Sequence, residues 1–240
     1  QGKMQLDARA NALLATKAFG RMHIPAEISF GLEFPEDTVP AISVSGLKAG
    51  IASVPFAGNA EVRLMKDRLG IKADLSVRDC KAEDVIDRFL KDYIPVTADI
   101  KTDASFTLEA ECSGEYIYAD GTLPQFTARI TVPESSLNHR AIENEMNVSL
   151  DASAGTTEDG RLQASLGNLD INCDGLSIKA SADIPDIKQD DFLINIDGAL
   201  SADLYSLMTF VPDTLDIEAS GKIQAKLKGG FRPSHLDIYR

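Results

Sequence analysis

The sequence predicts a mainly β protein, built as a large, curved antiparallel sheet (an elongated half-pipe or sandwich-like) with two or three short helices and an internal repeat. Three observations predict it. Apolar and polar residues alternate over most of the 240 residues, which is the period of a strand with one apolar face. Turn residues recur at a spacing of about 8–12 residues, as in antiparallel meanders. One order of strand, short helix and strand occurs twice.

The N-terminal segment predicts a strand, a helix and a second strand. Residues 3–10 alternate between apolar and polar side chains. From Asn11 to Met22, apolar residues recur at every fourth position, which is typical of a helix that Pro25 would end. Alternation returns after Pro25. Together these elements indicate a degenerate first copy of the repeat.

The first full copy of the repeat is predicted in the middle of the chain. Short alternating strands run from Val39 to Val77, with a turn near Lys66-Asp67. Asp79 is a candidate N-cap for a helix that continues to Ile94-Pro95. The strands predicted after this helix are residues 97–101, 104–112, 115–119 and 125–132.

The second half carries the clearest hairpin patterns. Pro133-Glu134-Ser135-Ser136 interrupts the alternation, so residues 137–143 are predicted as a loop or a single helical turn. Strands then flank turns at Glu158-Asp159-Gly160 and Asp174-Gly175. One more strand precedes a second repeat helix, which Ser201 would cap. The predicted closing strands are residues 214–219 and 222–228.

The two full copies lie at one offset along the chain. Pro95 and Pro212 each follow an amphipathic helical stripe, and aligning them gives an offset of 117 residues (212 − 95). At this offset Phe106 falls on Ile223, and each belongs to an alternating strand. Residues 1–240 are therefore predicted to form one elongated, repeat-built unit from a longer protein. The approximate repeat units are residues 1–60 (degenerate), 70–130 and 190–240.

Composition argues against several classes of partner. The formal net charge of −13 disfavours nucleic acid and anionic lipid surfaces, because both require clustered Lys and Arg. No apolar run reaches the ~20 residues that span a bilayer. The cysteines Cys80, Cys112 and Cys173 lack C-x-x-C spacing. Cys112 and Cys173 are expected to act as small hydrophobic residues on apolar strand faces.

The sequence contains no recognised motif for catalysis or metal binding. The G-x-S-x-G, H-E-x-x-H, P-loop and G-x-G-x-x-G patterns are all missing from it. Ser135-Ser136 followed by His139 lacks oxyanion donors and a third orienting group. Acidic groups such as Asp190-Asp191 lack the register of a Ca²⁺ loop. We therefore predict no catalytic residues, no metal site and no cofactor.

The alternating strands create one large apolar face that must be covered. Each fully buried large side chain on such a face contributes ~1.5–3 kcal/mol. Two or three short helices cannot shield it. The sequence is compatible with three ways of covering this face: a second sheet, closure of the sheet into a barrel, or an apolar ligand held in a curved, partly open trough.

The repeat consists of a strand, a short helix and a long alternating strand, and the helix ends in a hydrophobic residue followed by proline. This order of elements resembles the AsmA-like family of bacterial envelope proteins. Residues 104–110 form such a long strand. Residues 58–64 and 220–225 are similar to a pattern that begins strands in this family, in which a glycine and a small residue precede the alternating positions. Its relatives include the translocation and assembly module protein TamB and the eukaryotic bridge-like lipid transfer proteins. The family's usual N-terminal membrane helix has no counterpart in this sequence.

This resemblance implies a non-enzymatic periplasmic segment, anchored to the inner membrane by a part of the protein outside this sequence. It implies a hydrophobic β-groove that holds or conducts phospholipid or another acyl-chain lipid in outer-membrane biogenesis, with other envelope proteins as possible partners. It favours the trough among the three covers. The alternative is a closed β-sandwich that serves as a structural or interaction module of the envelope without binding lipid. The candidate groove residues are Phe106, Leu108, Leu150, Leu166, Ile178 and Ile194.

Overall fold

The computed structural model of the chain contains one antiparallel sheet of 13 strands and two short helices among the residues that it describes. These are residues 2–16, 20–34, 40–51, 54–88, 91, 99–119, 121–139, 142–188, 191–207 and 219–232. The strands are β1 (Gly2–Thr16), β2 (Gly20–Phe34), β3 (Ala41–Ile51), β4 (Val54–Leu64), β5 (Arg68–Lys81), β6 (Ile100–Thr102), β7 (Ser105–Ile117), β8 (Gln125–His139), β9 (Ile142–Thr156), β10 (Leu162–Cys173), β11 (Leu176–Ile184), β12 (Ile194–Asp203) and β13 (Lys222–Phe231). The helices are α1 (Ala82–Arg88) and α2 (Leu204–Leu207).

The sheet is open, and its order follows the chain. Neighbours run from β1 to β5 and then from β7 to β13, while β6 lies off this path and pairs with β8. The predicted mainly β, antiparallel fold is confirmed. The described strands form neither a second sheet nor a closed barrel, so two of the three covers predicted for the apolar face are not formed by them.

The chain divides into two compact units. Unit 1 comprises residues Gln1–Ala98, Phe106–Arg129 and Gly155–Gly160, and it therefore holds β1 to β5, α1 and nearly all of β7. Unit 2 comprises residues Asp99–Ser105, Ile130–Ala154 and Arg161–Arg240, and it holds β6, β10 to β13 and α2.

Few side chains are fully enclosed. Among the residues whose side chains are described, the buried apolar ones are Ala41, Val77, Cys80 and Ala202. Val77 and Cys80 lie near the end of β5, just before α1 begins. Most other apolar side chains of the described strands are only half-buried, so neither unit contains an extended closed core among its described residues.

The helix predicted from Asn11 to Met22 is wrong, since β1 continues to Thr16 and β2 begins at Gly20. Apolar residues four positions apart predicted the helix, but four residues are also two full periods of a strand, so the spacing fits both structures. The register decides between them, because Leu14 lies opposite Met22 in an antiparallel hairpin. Pro25 lies in β2 opposite Asn11 of β1, and the described pairing of β2 with β3 begins at the next residue, Ala26.

Both predicted helix caps are also wrong. Asp79 belongs to β5, which continues to Lys81, and α1 begins only at Ala82. Buried Val77 and Cys80 hold this end of β5 in place. Ser201 lies within β12, and the cap of α2 is Asp203, whose Oδ1 accepts hydrogen bonds from the backbone N–H groups of the second and third helical residues at 3.1 and 3.4 Å.

A strand, a short helix and a long strand follow one another at β5, α1 and β7, with the short strand β6 between α1 and β7, and again at β12, α2 and β13. The two helices begin 122 residues apart (204 − 82), whereas the strands that follow them begin 117 residues apart (222 − 105). The predicted offset of 117 residues matches only the starts of the strands that follow the helices, since the strands that precede them begin 126 residues apart (194 − 68). The predicted helical stops at Ile94-Pro95 and Val211-Pro212, and most of the closing strand at 214–219, lie outside the described residues.

The predicted hairpin turns are present. Gly160 has a φ of 77° and its N–H donates to Thr157 O at 2.9 Å, which joins β9 to β10. Gly175 has a φ of 76° in the two-residue turn between Cys173 and Leu176. The strands predicted at 104–112 and 115–119 form the single strand β7, which continues through Gly114 at a φ of 128°.

The break predicted at Pro133-Glu134-Ser135-Ser136 is wrong. β8 runs through these residues to His139, and the predicted loop at 137–143 is strand wherever it is described. Residues 137–139 of β8 pair with β6, from Thr102 opposite Leu137 to Ile100 opposite His139. A short strand from elsewhere in the chain thus continues the pairing that the local sequence does not predict.

Side chains next to β6 complete this pairing at Ser136. Its N–H donates to Asp103 Oδ1 at 2.6 Å, and its carbonyl accepts from Thr102 Oγ1 at 2.6 Å. The hydroxyl of buried Ser135 donates to Pro133 O at 2.7 Å. These hydrogen bonds satisfy the backbone N–H and C=O of Ser136 within β8, which helps the strand to continue through this polar run.

We expect the substitution Asp103→Ala to lower the free energy of unfolding by about 1 kcal/mol, because it removes the acceptor of the Ser136 N–H. Asp103→Asn keeps an oxygen at the same position and is the matched control, with an expected change within about 0.5 kcal/mol. Urea unfolding of both variants measures the difference. Equal losses in the two variants would exclude this hydrogen bond as the reason that β8 continues.

Candidate functional site

Register places the apolar residues of four strands of unit 2 on one side of the sheet. Directly opposed residues in antiparallel strands point to the same face. Ile171 lies opposite Ile178, Ile178 opposite Leu200, and Leu200 opposite Ala225. This side is called the apolar face of unit 2. Its residues are Ala164, Leu166, Leu169, Ile171 and Cys173 on β10, Leu176, Ile178, Ala180, Ala182 and Ile184 on β11, Ile194, Ile196, Gly198, Leu200 and Ala202 on β12, and Ile223, Ala225, Leu227, Gly229 and Phe231 on β13.

A β-bulge keeps β10 in phase with its neighbour. The pairing shifts between Leu166, which lies opposite Ala182, and Leu169, which lies opposite Ala180. Without the extra residue, every apolar side chain beyond the shift would point to the other side of the sheet. The bulge therefore keeps Leu169, Ile171 and Cys173 on the apolar face.

The opposite face of these strands is polar, and its groups bind one another. Lys179 Nζ lies 3.0 Å from Asp170 Oδ2, and Lys228 Nζ lies 2.9 Å from Asp197 Oδ2. The hydrogen bond to Asp197 and its charge raise the pKa of Lys228 above the ordinary value. These polar groups are thus engaged on the side of the sheet away from the apolar face.

The apolar face of unit 2 is partly exposed, and it is most exposed on β13. Ala202 is its only fully buried residue, with 5% of its surface exposed. On β13, Ile223 is 44% exposed and Leu227 is 64% exposed, although both are large apolar residues. The remaining large apolar side chains of the face are half-buried. The described elements of unit 2 therefore leave this face accessible.

Three of the six predicted groove residues lie on this face, and a fourth, Leu150 of β9, lies on the same side of the sheet in unit 2. Register places Leu166, Ile178 and Ile194 there. Leu150 follows from its neighbours on β9: Ser153 Oγ lies 2.8 Å from Ser165 Oγ, and Ser149 Oγ accepts from Asn168 Nδ2 at 3.2 Å, both on the polar side. Alternation then points Leu150 to the apolar side. All four side chains are half-buried.

The other two predicted residues, Phe106 and Leu108, lie on β7 in unit 1. Both are half-buried, as are Ser105 and Thr107 beside them, and Glu109 is the first exposed residue after them. The six predicted residues thus belong to two separate units, two in one and four in the other.

Unit 1 has an apolar face on β1 to β5 that the sequence did not predict as part of the site. One row across these strands joins Met4, Leu32, Val44, Ala60 and Ala73, each directly opposite the next. Met4 is 51% exposed, so this face is also accessible at its edge. Because a helix was wrongly predicted from residue 11, the full length of β1 and β2 was not predicted, although apolar and polar residues alternate in both.

Several depressions cross the described strands, and two of them, one in each unit, include cross-strand rows of the apolar faces. The one in unit 1 has a volume of about 830 Å³ and includes the cross-strand row Ala8, Ile28, Ala49 and Phe56. The one in unit 2 has a volume of about 680 Å³, and its lining combines the row Leu166, Ala182, Ile196 and Gly229 with polar-side residues that include Asp183, Asp197 and Lys228. Both volumes fall in the range of small-molecule sites, about 300–1,000 Å³.

The three cysteines are free thiols, and they behave as hydrophobic groups. Burial raises the pKa of Cys80, Cys112 and Cys173 above the ordinary value, so all three are protonated at neutral pH. Cys173 lies on the apolar face directly opposite Leu176, as predicted. Among the described residues, no three His, Cys, Asp or Glu side chains converge to hold a metal ion.

Neither described helix is long and apolar enough to cross a membrane. No protein-family model, curated protein or solved structure matches this chain.

Proposed function

We propose that the protein holds the acyl chains of lipids against the uncovered apolar faces of its sheet. The observation that carries the proposal is the exposure of large apolar side chains, above all Leu227 at 64% and Ile223 at 44%, on a face where only Ala202 is buried. A contiguous apolar face of this kind marks a binding surface or an aggregation hazard in a soluble protein. An acyl chain is the apolar ligand whose length suits a face that spans several strands.

The chemistry of the face determines how such a ligand would bind. Each methylene group that an acyl chain buries contributes about 0.8 kcal/mol. The polar groups of unit 2 lie on the opposite side of the sheet and pair with one another, as Lys179 does with Asp170. The face therefore offers few polar groups to a lipid head group, and binding is expected to select for chain length more than for head-group chemistry.

The proposal extends to the cellular setting that the AsmA-like resemblance implies. There the chain would be a non-enzymatic periplasmic segment of an inner-membrane-anchored protein, and it would hold or conduct phospholipid in outer-membrane biogenesis, with envelope proteins as partners. The open, antiparallel sheet supports this reading, because a groove protein needs a sheet face that no second layer covers. The closed-sandwich alternative lacks such support, since the described strands form one sheet.

Lipid extraction of the purified protein followed by mass spectrometry tests the proposal. We expect co-purified phospholipid or fatty acid, and we expect the fluorescent fatty acid cis-parinaric acid to bind after delipidation. If extraction yields no lipid and the probe does not bind to the delipidated, folded protein, the proposal is wrong.

A matched pair of variants on β13 locates the binding. Leu227→Glu places a carboxylate on the apolar face, and Gln224→Glu adds the same charge to the polar face of the same strand. Both positions are exposed, so neither substitution should unfold the protein. We expect Leu227→Glu to weaken cis-parinaric acid binding roughly tenfold, because the chain must then desolvate a charge, and Gln224→Glu to leave it unchanged. Equal effects of the two variants would place the bound probe elsewhere.

A further inference from the structure

β13 forms one end of the described sheet, and its outer edge has no described partner. The sheet order ends at β13, which pairs only with β12. Nine of its ten residues are exposed. A strand in this position presents a row of free backbone N–H and C=O groups, which is a template for pairing with another chain.

The charge of β13 is opposite to that of the rest of the protein. The chain carries a formal net charge of −13, yet β13 contains Lys222, Lys226 and Lys228 and no acidic residue. All three lysines point to the polar side, since they lie opposite Asp203, Ala199 and Asp197 of β12. Lys228 pairs with Asp197 at 2.9 Å, whereas Lys226 faces an alanine and has no ion pair with the described residues.

These lysines disfavour association between copies of the chain. A second copy offers two edges to β13: another β13, which carries the same three lysines, and β1, at the other end of the sheet. The charged residues of β1 are Lys3, Asp7 and Arg9, so that edge is also net positive. Like charges on adjacent strands destabilise pairing. Lysines on an edge strand therefore act against self-pairing, and the same charges favour an acidic partner.

We propose that the outer edge of β13 pairs with an extended segment of a different protein, one that alternates apolar residues with Asp or Glu. Its acidic positions would lie beside Lys222 and Lys226, and its apolar positions would continue the face formed by Ile223 and Leu227. Main-chain hydrogen bonds would supply affinity, and the charges would supply selection. The inference does not depend on lipid binding, since it uses the backbone edge and the polar side of the strand.

Synthetic peptides of the length of β13 test the proposal on the full chain. One peptide alternates Val with Glu, and its counterpart alternates Val with Lys. We expect the acidic peptide to bind at low ionic strength, to weaken as salt rises, and to slow hydrogen–deuterium exchange of the β13 amides alone. The basic peptide is expected not to bind.

Charge reversal provides the decisive comparison. Lys226→Glu should weaken the acidic peptide about two- to fivefold, and Lys222→Glu combined with it should weaken that peptide further and allow the basic peptide to bind. Lys48→Glu is the matched control, because Lys48 is exposed on the interior strand β3, and it should change neither affinity. Circular dichroism of each variant verifies that the sheet is intact.

Three results would overturn the inference. They are no binding of the acidic peptide to the folded protein, protection that falls on strands other than β13, and binding that the Lys226→Glu and Lys48→Glu variants weaken equally. A concentration-dependent dimer that protects β13 without any peptide would overturn it as well, because a second copy of the chain would then occupy this edge.

Discussion

Replacing Gly58 by alanine is expected to lower the free energy of unfolding by about 3 kcal/mol. Gly58 lies in the interior strand β4, opposite Leu47 on one side and Leu75 on the other. A Cβ atom at this position would lie 2.1 Å from Asp74 O and 3.1 Å from Leu75 Cα. Because these are backbone atoms of the neighbouring strand, no side-chain rotation relieves the overlap, and β4 and β5 must separate.

Hydrogen bonds of Asn59 help to explain why the strands approach so closely here. The Gly46 N–H donates to Asn59 Oδ1 at 3.1 Å, where a bulge interrupts the pairing of β3 with β4. The Asn59 amide donates to the two carboxylate oxygens of Asp74 at 3.2 and 3.3 Å. One side chain thus links three strands next to Gly58, and a glycine at that position leaves room for them.

Gly50→Ala is the control for the Gly58 prediction. Gly50 lies in the interior strand β3, and a Cβ atom there would meet nothing within 4 Å. We expect this variant to change stability by less than about 0.5 kcal/mol. Urea unfolding followed by circular dichroism, with hydrogen exchange of β3 to β5, distinguishes the two variants. Similar unfolding midpoints would mean that the strands near Gly58 can separate at little cost.

The strands and tight turns of this protein follow from local pattern, whereas its strand ends do not. Alternation and the Asp174-Gly175 pair predict the hairpin of β10 and β11, because the period of two and the left-handed turn residue are both local properties. The helix predicted from Asn11 failed because apolar residues four apart satisfy a helix and a strand equally. Only the pairing of β1 with β2, which is a tertiary property, decides between them.

The continuation of β8 shows the same limit at longer range. A run of proline, glutamate and two serines has little strand propensity, and the sequence predicted a break there. The groups that satisfy Ser136 come from Thr102 and Asp103, which are separated from it by 34 and 33 residues. A short stretch of sequence around Ser136 does not contain these two residues, so local pattern cannot predict their hydrogen bonds.

The candidate site was predictable to the extent that it depends on alternation. Leu166, Ile178 and Ile194 share a face because each is an apolar residue of an alternating strand, and register places them together. The bulge between Leu166 and Leu169 was not predictable, although it determines which residues of β10 join that face. The division into two units, which separates Phe106 and Leu108 from the other candidates, also depends on contacts that a pattern does not contain.

Segregation of polar and apolar side chains connects the fold to the proposed function. Lys179 and Asp197 each lie on the polar side and pair with charged residues of adjacent strands, so this side can remain in contact with water and needs no second layer. Backbone hydrogen bonds between neighbouring strands hold the strands in register. A sheet held in this way can leave its apolar side accessible to a ligand, where a sandwich would have to bury it.

Replacing Gly175 by alanine is expected to destabilise unit 2 by about 3 kcal/mol. Gly175 has a φ of 76°, which costs an alanine about 1–2 kcal/mol. In addition, its Cβ atom would lie 2.3 Å from Ser206 Cβ and 2.9 Å from Ser206 Oγ in α2. The Gly175 carbonyl also accepts a hydrogen bond from the Asp203 N–H at 2.6 Å, so the turn cannot move away without disturbing the start of α2.

Two further variants separate the backbone cost from the overlap. Gly160→Ala has a matching φ of 77° and no atom within 4 Å of the new Cβ, so it should cost only the backbone part, about 1–2 kcal/mol. Adding Ser206→Gly to Gly175→Ala removes both overlapping atoms and should recover the difference. Urea unfolding of the three variants measures each part. If Gly175→Ala and Gly160→Ala cost the same, or if Ser206→Gly recovers nothing, the turn between β10 and β11 does not contact α2 as closely as the structure indicates.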